Sequence, residues 1–466
     1  MVQSEWLPVI PEEGGPLWRR IVAALGADIR NGKTAAGERL PPHRDLAYRL
    51  GIGVGTIGKA YAEAERLGLV TSHVGRGTFI AGEPVSAAAP ARRPDTIINM
   101  ALNIPPIAPA LAVLGDTLDA LRQRPDLYAL ADYSPTPGLE TVRRAGAEWL
   151  RGHGCTARAT PERLIQTNGG QQALMLAVSS FAGPGETVLC DAATYPGNRV
   201  MARHGGWQLR GVASDARGMA PAALDRAVAE SGARLVILIP TLHNPSGITL
   251  DAGRRAEIVE VARARDLTIV EDDIYRVFGR PEDPLPFAMI APERTILTTS
   301  LSKALAPGLR LGFILPPEDD AVHARLLLAA QASGYCPPAA GGLIFAQWMA
   351  DGTADRVLAG VRGEAALRQR MARDILGSAI APPHSDHAMH VWLPMSADRA
   401  ARVRARALQE NVEVTPPEAP FVDPAMIDGL RVCLGAAHDA ERCAQGLRVV
   451  KAALDEGAFI EVPGII

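Results

Sequence analysis

At 466 residues the chain is too long for one ordinary core, so two or three domains are expected. A composition 47% apolar and 21% charged fits a soluble globular protein, and apolar runs such as LVILI (235–239) are too short to span a bilayer. The net charge of −3 hides an asymmetry, +5 over residues 15–82 and −8 over the rest, which points to a small basic module that meets a polyanion. The N-terminus lacks a basic stretch followed by an apolar core. Five scattered cysteines (155, 190, 336, 433, 443) form no C-x-x-C and no metal spacing, so a reducing, cytoplasmic setting without a bound metal is expected.

The first helix falls in LWRRIVAALGADIRNG, where Leu17, Ile21, Leu25 and Ile29 share one stripe and Gly32 closes it. PPHRDLAYRLG holds a short second helix with proline at its start and Gly51 at its stop. TIGKAYAEAERLG forms a third, opened by Thr56, with Ile57, Tyr61, Ala64 and Leu67 turned inward. Two β-rich runs, 69–73 and 78–80, make a hairpin around Val74–Gly77. Residues 53–58 also spell G-x-G-x-x-G. A dinucleotide turn needs a buried strand before it and an acid about 20 residues on. Here a charged helical segment precedes it and position 78 is Thr, so Gly51–Gly55 is instead the tight turn of a helix-turn-helix with a β wing. That geometry puts the third helix in a DNA major groove.

The segments GERLPPHRDLA, LGIGVGTIGKAYAEAERLGLV and GRGTF resemble the winged helix of the GntR regulator family over residues 15–82. The resemblance implies DNA contacts by Arg44, Thr56 and Lys59, with Gly75, Arg76 and Gly77 in the wing. Val54 and Gly58 stand where the family often carries arginines, so base readout by guanidinium forks is thinner here.

Residues 83–95, EPVSAAAPARRPD, read as a semi-stiff linker to a second body, 96–466. From residue 160 strands and helices alternate: TVLCD (187–191), LVILIP (235–240), LTIVED (267–272) and TILTTS (295–300). This implies an α/β fold, a mostly parallel sheet with helices on both faces and ligands at the carboxyl ends of its strands. Four polar clusters stand after strands. TNGGQQAL (167–174) is a glycine turn opening a helix whose free N–H groups suit a phosphate. HNPSG (243–247) presents Asn244, and EDDIY (271–275) presents Asp272 and Tyr275. TTSLSKALAPGLRLGF sets Lys303 beside serines and Arg310, a phosphate site next to an amine able to form a Schiff base.

In this order the clusters resemble the fold type I pyridoxal phosphate aminotransferases of class I/II, over about residues 97–455. The resemblance implies pyridoxal 5′-phosphate as cofactor. Lys303 would be its Schiff-base amine, Asp272 would face the pyridine nitrogen, Asn244 and Tyr275 the phenolic oxygen, and Tyr195 would stack on the ring. Gly170, Gln171, Ser300, Ser302 and Arg310 would surround the phosphate, and Tyr133 would reach the phosphate of the other subunit. Arg431, in GLRVCLG, would grip a substrate carboxylate from a smaller C-terminal α+β subdomain. The three-residue offset of Asp272 from Tyr275 matches the family pattern, so the resemblance favours it over its neighbours Glu271 and Asp273, with Asp273 the alternative. His243, His384, His387 and His390 show no metal-ligand pattern, and HSDHAMH (384–390) reads as a polar loop. A GntR-like winged helix, a linker and an aminotransferase-like domain is the layout of the MocR subfamily of bacterial regulators. It implies a homodimeric, pyridoxal phosphate-dependent transcriptional regulator that binds promoter DNA and senses an amino acid, amine or vitamer. The alternative is a working aminotransferase with a 2-oxo acid acceptor.

Overall fold

The computed structural model describes residues 6–11, 15–35, 37–67, 69–73, 77–80, 97–383 and 385–456, in two compact units, Met1–Arg92 and Arg93–Ile466. The expected linker 83–95, Gly75, Arg76 and His384 lie outside the described residues.

In the first unit, helices Leu17–Arg30, His43–Leu50 and Val54–Arg66 precede antiparallel strands Val70–His73 and Gly77–Ile80. Ile21, Leu25, Leu46, Ile57, Tyr61 and Ala64 close one core with Val70 and Ile80. Each large apolar side chain in it contributes about 1.5–3 kcal/mol of burial. Gly51 adopts φ +66° as the left-handed cap that turns the chain between the second and third helices. Thr56 does not open the third helix. Gly53 is its N-cap, and the Thr56 N–H already donates to Gly53 O at 2.9 Å. Leu67 is 51% exposed rather than inward, because it caps that helix instead of continuing its buried stripe.

The second unit is built on a seven-stranded sheet ordered Ile165–Thr167, Gly312–Leu315, Thr295–Ser300, Thr268–Asp272, Leu235–Leu238, Thr187–Asp191, Gln208–Val212. Gly312–Leu315 runs against the other six. The central strands are unbroken apolar runs because both faces are covered. Val188, Cys190, Ile237, Val270 and Ile296 pack with helix Gly169–Ser179. Leu189, Val236, Leu238 and Ile269 pack on the opposite face with helices Pro221–Ser231 and Ala252–Ala264. Fully buried Arg255 ties that face to the loop after Leu235–Leu238. It donates to Leu250 O, Leu285 O and Pro240 O at 3.0, 3.0 and 3.1 Å.

A C-terminal layer pairs His390–Pro394 antiparallel with Gly429–Cys433, and Val412–Val414 parallel with Ile98–Met100. Helices Thr353–Leu376, Ala397–Gln409 and Ala440–Glu456 share its core. The first strand of the second unit therefore belongs to the layer that the chain completes last. Among the described residues no helix is long and apolar enough to cross a membrane, and no group of His, Cys, Asp or Glu could hold a metal.

Candidate functional site

The carboxyl ends of the central strands open on a cavity of about 740 Å3, a size suited to a cofactor with its ligand. Strand alternation decides which acid enters it. Glu271 accepts the N–H groups of Phe287 and Ala288, each at 2.8 Å, and Asp273 lies toward Arg255 and Arg276. Asp272, between them, points the other way and is the one of the three that lines the cavity. Burial, reinforced by Asp273, pushes its carboxyl up to about 7, against the pull of Lys303. Lys303 follows strand Thr295–Ser300 in a tight turn, and its Nζ donates to Asn103 O. Desolvation lowers its ammonium to about 8; Arg431 and Arg310 add to that, while Cys433 and Asp272 oppose it.

At the other end, helix Gly169–Ser179 begins beside Arg310, whose Nη2 donates to Asn168 O at 2.9 Å. Gly169 has φ +77°, and a Cβ there would meet Arg310 Nη2 at 2.7 Å. A Cβ on Gly170 would stand 3.2 Å from the Cβ of Ser300, whose hydroxyl lies 2.8 Å from Ser302 Oγ. The glycines thus keep open a cradle of free helix N–H groups, a guanidinium and a hydroxyl, which fits a phosphate. Tyr195 OH donates to Gln171 Oε1 at 2.7 Å, and a side chain on Gly197 would strike its ring.

Arg431 is buried, not a surface arginine. Its Nη1 donates to Asn244 Oδ1 at 2.6 Å, its Nε to Thr415 Oγ1 at 3.2 Å and its Nη2 to Ala101 O at 3.2 Å. Burial raises the Tyr275 phenol, which keeps its proton. Of the residues expected here, Ser300 is sealed just behind the wall. Tyr133 is absent from its own chain's cavity wall: it is 78% exposed, edge-on to Tyr335 at 5.2 Å. Arg44 and Lys59 are exposed in the first unit, and Thr56 is half-buried one helical turn before Lys59.

Two residues of the site escaped the sequence reading. Asn103 Nδ2 donates to Tyr275 OH at 2.9 Å and lies 3.2 Å from His390 Nδ1. His390 is not in a polar loop: it is the buried first residue of strand His390–Pro394, with Nε2 3.3 Å from His243 O. Burial and Arg431 push its imidazole down to about 3, so it is neutral; a proton on Nε2 satisfies His243 O and leaves Nδ1 to accept from Asn103. The apolar run VWL directly after it was a usable sign of a strand at His390; nothing local marked Asn103.

An amine, a carboxylate opposite it and a phosphate cradle fit pyridoxal phosphate, and with the parallel sheet they define a fold type I domain joined to a winged-helix unit. The chain belongs to the aminotransferase class I and II family, matched over residues 95–450, and residues 17–80 match the bacterial regulatory proteins of the gntR family. It is 28% identical over 434 residues to the vitamin B6 salvage pathway transcriptional repressor PtsJ of Salmonella typhimurium, covering 92% of this chain and 96% of that one. It is 29% identical over 315 residues to the HTH-type transcriptional regulator YdeF of Bacillus subtilis, covering 67% of each. The solved α-aminoadipate aminotransferase LysN of Thermus thermophilus, complexed with N-(5′-phosphopyridoxyl)-L-leucine, matches with a TM-score of 0.69. Its identity is 27%, with 78% of this chain and 92% of that one covered. The protein is a DNA-binding transcriptional regulator of the MocR layout with a pyridoxal phosphate-dependent domain.

Proposed function

We propose that the 740 Å3 cavity is the regulator's effector site and takes an amino acid, amine or vitamer. The observation that carries this reading is Arg431, a buried guanidinium in the same cavity wall as Lys303 and Asp272. Its fork suits a carboxylate that displaces the Asn244 contact. When bound, pyridoxal phosphate supplies an electrophilic aldehyde and an electron-withdrawing ring. Lys303, at about 8, is roughly one-tenth neutral at neutral pH and so able to act as the cofactor's amine. Asp272 offers an anion to the ring nitrogen, Tyr275 and Asn244 hold the phenolic oxygen, and Tyr195 covers one ring face. Gly170, Gln171, Ser302 and Arg310 would hold the phosphate, with Ser300 supporting Ser302 from behind the wall. The working form is a cytoplasmic homodimer, in which exposed Tyr133 serves the other subunit's phosphate site; the cysteines, all free, agree with that compartment.

The test is a titration of amino acids and vitamers into the cofactor-loaded protein, following visible absorbance and promoter affinity together. One compound should change both. A second reading, a working aminotransferase, is favoured by the same intact set of Lys303, Asp272 and Arg431. Sustained release of a 2-oxo acid, with promoter affinity unmoved, would assign it instead.

For the DNA unit, Lys59→Ala should weaken promoter binding and reduce the slope of log affinity against log salt by about 0.9, the counterion share of one phosphate contact. An unchanged slope removes Lys59 from the interface.

The Asp272 carboxyl makes a prediction about pH. Its folded value, about 7, lies above the ordinary carboxylate value, so the folded state holds an extra proton between them. Stability from this group is present at low pH and is lost as pH rises toward 7. Cofactor-free Asp272→Asn should therefore match the parent near pH 4 and exceed it at pH 8, by up to about 4 kcal/mol. Urea unfolding at both pH values measures this, and a variant no more stable at the higher pH refutes it.

A further inference from the structure

A second cavity, of about 360 Å3, lies in the large unit. Its wall joins Asp191, at the end of strand Thr187–Asp191, and the loop residues His243 and Ser246 to Trp392, Phe421 and Asp428 of the C-terminal layer. Three carboxylates line it, those of Asp191, Asp215 and Asp428, but no lysine or arginine does. Arg254 pairs with Asp215 at 2.8 Å. Burial pushes the Asp428 carboxyl up, and among the described residues no cation pairs with it and Asp191 has only His243 as an ion-pair neighbour.

His243 gives the independent sign of a ligand. The residue is 9% exposed and its side chain 11%, and its Nδ1 lies 2.8 Å from Ser246 Oγ. Its Nε2 has no hydrogen-bond partner, although Asp191 Oδ2 is 3.5 Å away. Asp191 Oδ1 is already served by Ser214 Oγ at 3.0 Å. An unsatisfied buried polar atom costs about 1–3 kcal/mol, which a donor entering the cavity would relieve. Trp392 and Phe421, with ring centroids 6.1 Å apart, add the aromatic wall that favours a cation.

We infer that this cavity is a second ligand site, separate from the cofactor cavity, for a small protonated organic amine. Its N–H group would lie between His243 Nε2 and the Asp191 carboxylate, with the apolar body against Trp392 and Phe421. The volume is at the lower end of small-molecule pockets, about 300–1,000 Å3. The two cavities share a wall. His243 lines the second, and the next residue, Asn244, lines the first and receives Arg431. His243 O also meets His390 Nε2. An amine held by His243 therefore biases the Asn244–Arg431 contact, and an effector on Arg431 biases the amine site by the same factor. That coupling, though not the site itself, rests on the effector reading of the first cavity.

Primary amines would also react with the cofactor, so the probe is N,N-dimethylbenzylamine, which cannot condense with an aldehyde. Calorimetric titration into full-length, cofactor-loaded protein should show saturable binding of one probe per chain, and phenylacetate should give none. Asp191→Asn should weaken the probe about tenfold, as expected for a lost charge-assisted hydrogen bond. Asp428→Asn, outside the buried core, should weaken it severalfold and guards against misfolding of the first variant. Arg431→Gln should abolish the amino-acid response yet still bind the probe saturably, one per chain, which separates this site from the effector site; the loss of its Asn244 contact is free to shift the probe's affinity. Absence of saturable heat, equal affinity in both aspartate variants, or equal binding of phenylacetate would overturn the proposal.

Discussion

Lys303→Ala strips the visible absorbance from the cofactor-loaded protein and lets pyridoxal phosphate dialyse away, while the far-ultraviolet circular dichroism remains that of the parent. Among the described residues Lys303 is the one lysine in the cavity wall, so none of them offers a second amine for the covalent link. The cost to the fold is small for a part-buried residue. The change leaves Asn103 O without its donor but also removes a cation crowded by Arg431 and Arg310. Stability should move by no more than about 1–2 kcal/mol. The variant should still shift promoter DNA, now without response to the effector. Retention of the absorbance would place the cofactor on another amine and remove the basis of the effector site.

Arg255→Ala should be the most damaging single change outside the site, costing about 3–5 kcal/mol. Leu250 O and Leu285 O lose the guanidinium donor, Pro240 O is left with the Leu250 N–H alone, and Asp273 and Glu271 lose the cation that holds down their burial-raised carboxyls. Arg255→Lys should recover only part of this, because one ammonium cannot reproduce the planar fork. Urea midpoints of the three proteins measure it, and a loss under about 1 kcal/mol for the alanine variant would show that water replaces the guanidinium.

Much of this was legible in the sequence because the informative signals were local. TVLCD and TILTTS are strands over the same residues that their apolar runs mark. Gly51 ends its helix in the left-handed conformation that only a cap requires. The choice of Asp272 among three adjacent acids rested on the family resemblance, and strand alternation supplies the physical reason that it alone of the three lines the cavity. What stayed hidden depends on distant partners. Asn103 joins Tyr275, His390 and Lys303 from a stretch with no periodicity of its own. His390 looked like one of several loop histidines because its burial comes from pairing with Cys433 across the C-terminal sheet. Leu67 and Thr56 were misplaced by a residue or two, the usual cost of reading helix ends without their caps.

Strand Ile98–Met100 has a mechanical consequence. It is hydrogen-bonded to Val412–Val414 and packed in the core shared by helix Ala440–Glu456, in the layer that also carries Arg431. The first strand of the large unit is thus anchored to the layer that carries Arg431, not to the seven-stranded sheet that leads into Lys303. Any tilt of that layer against the sheet carries strand Ile98–Met100 with it, with no relay through the sheet.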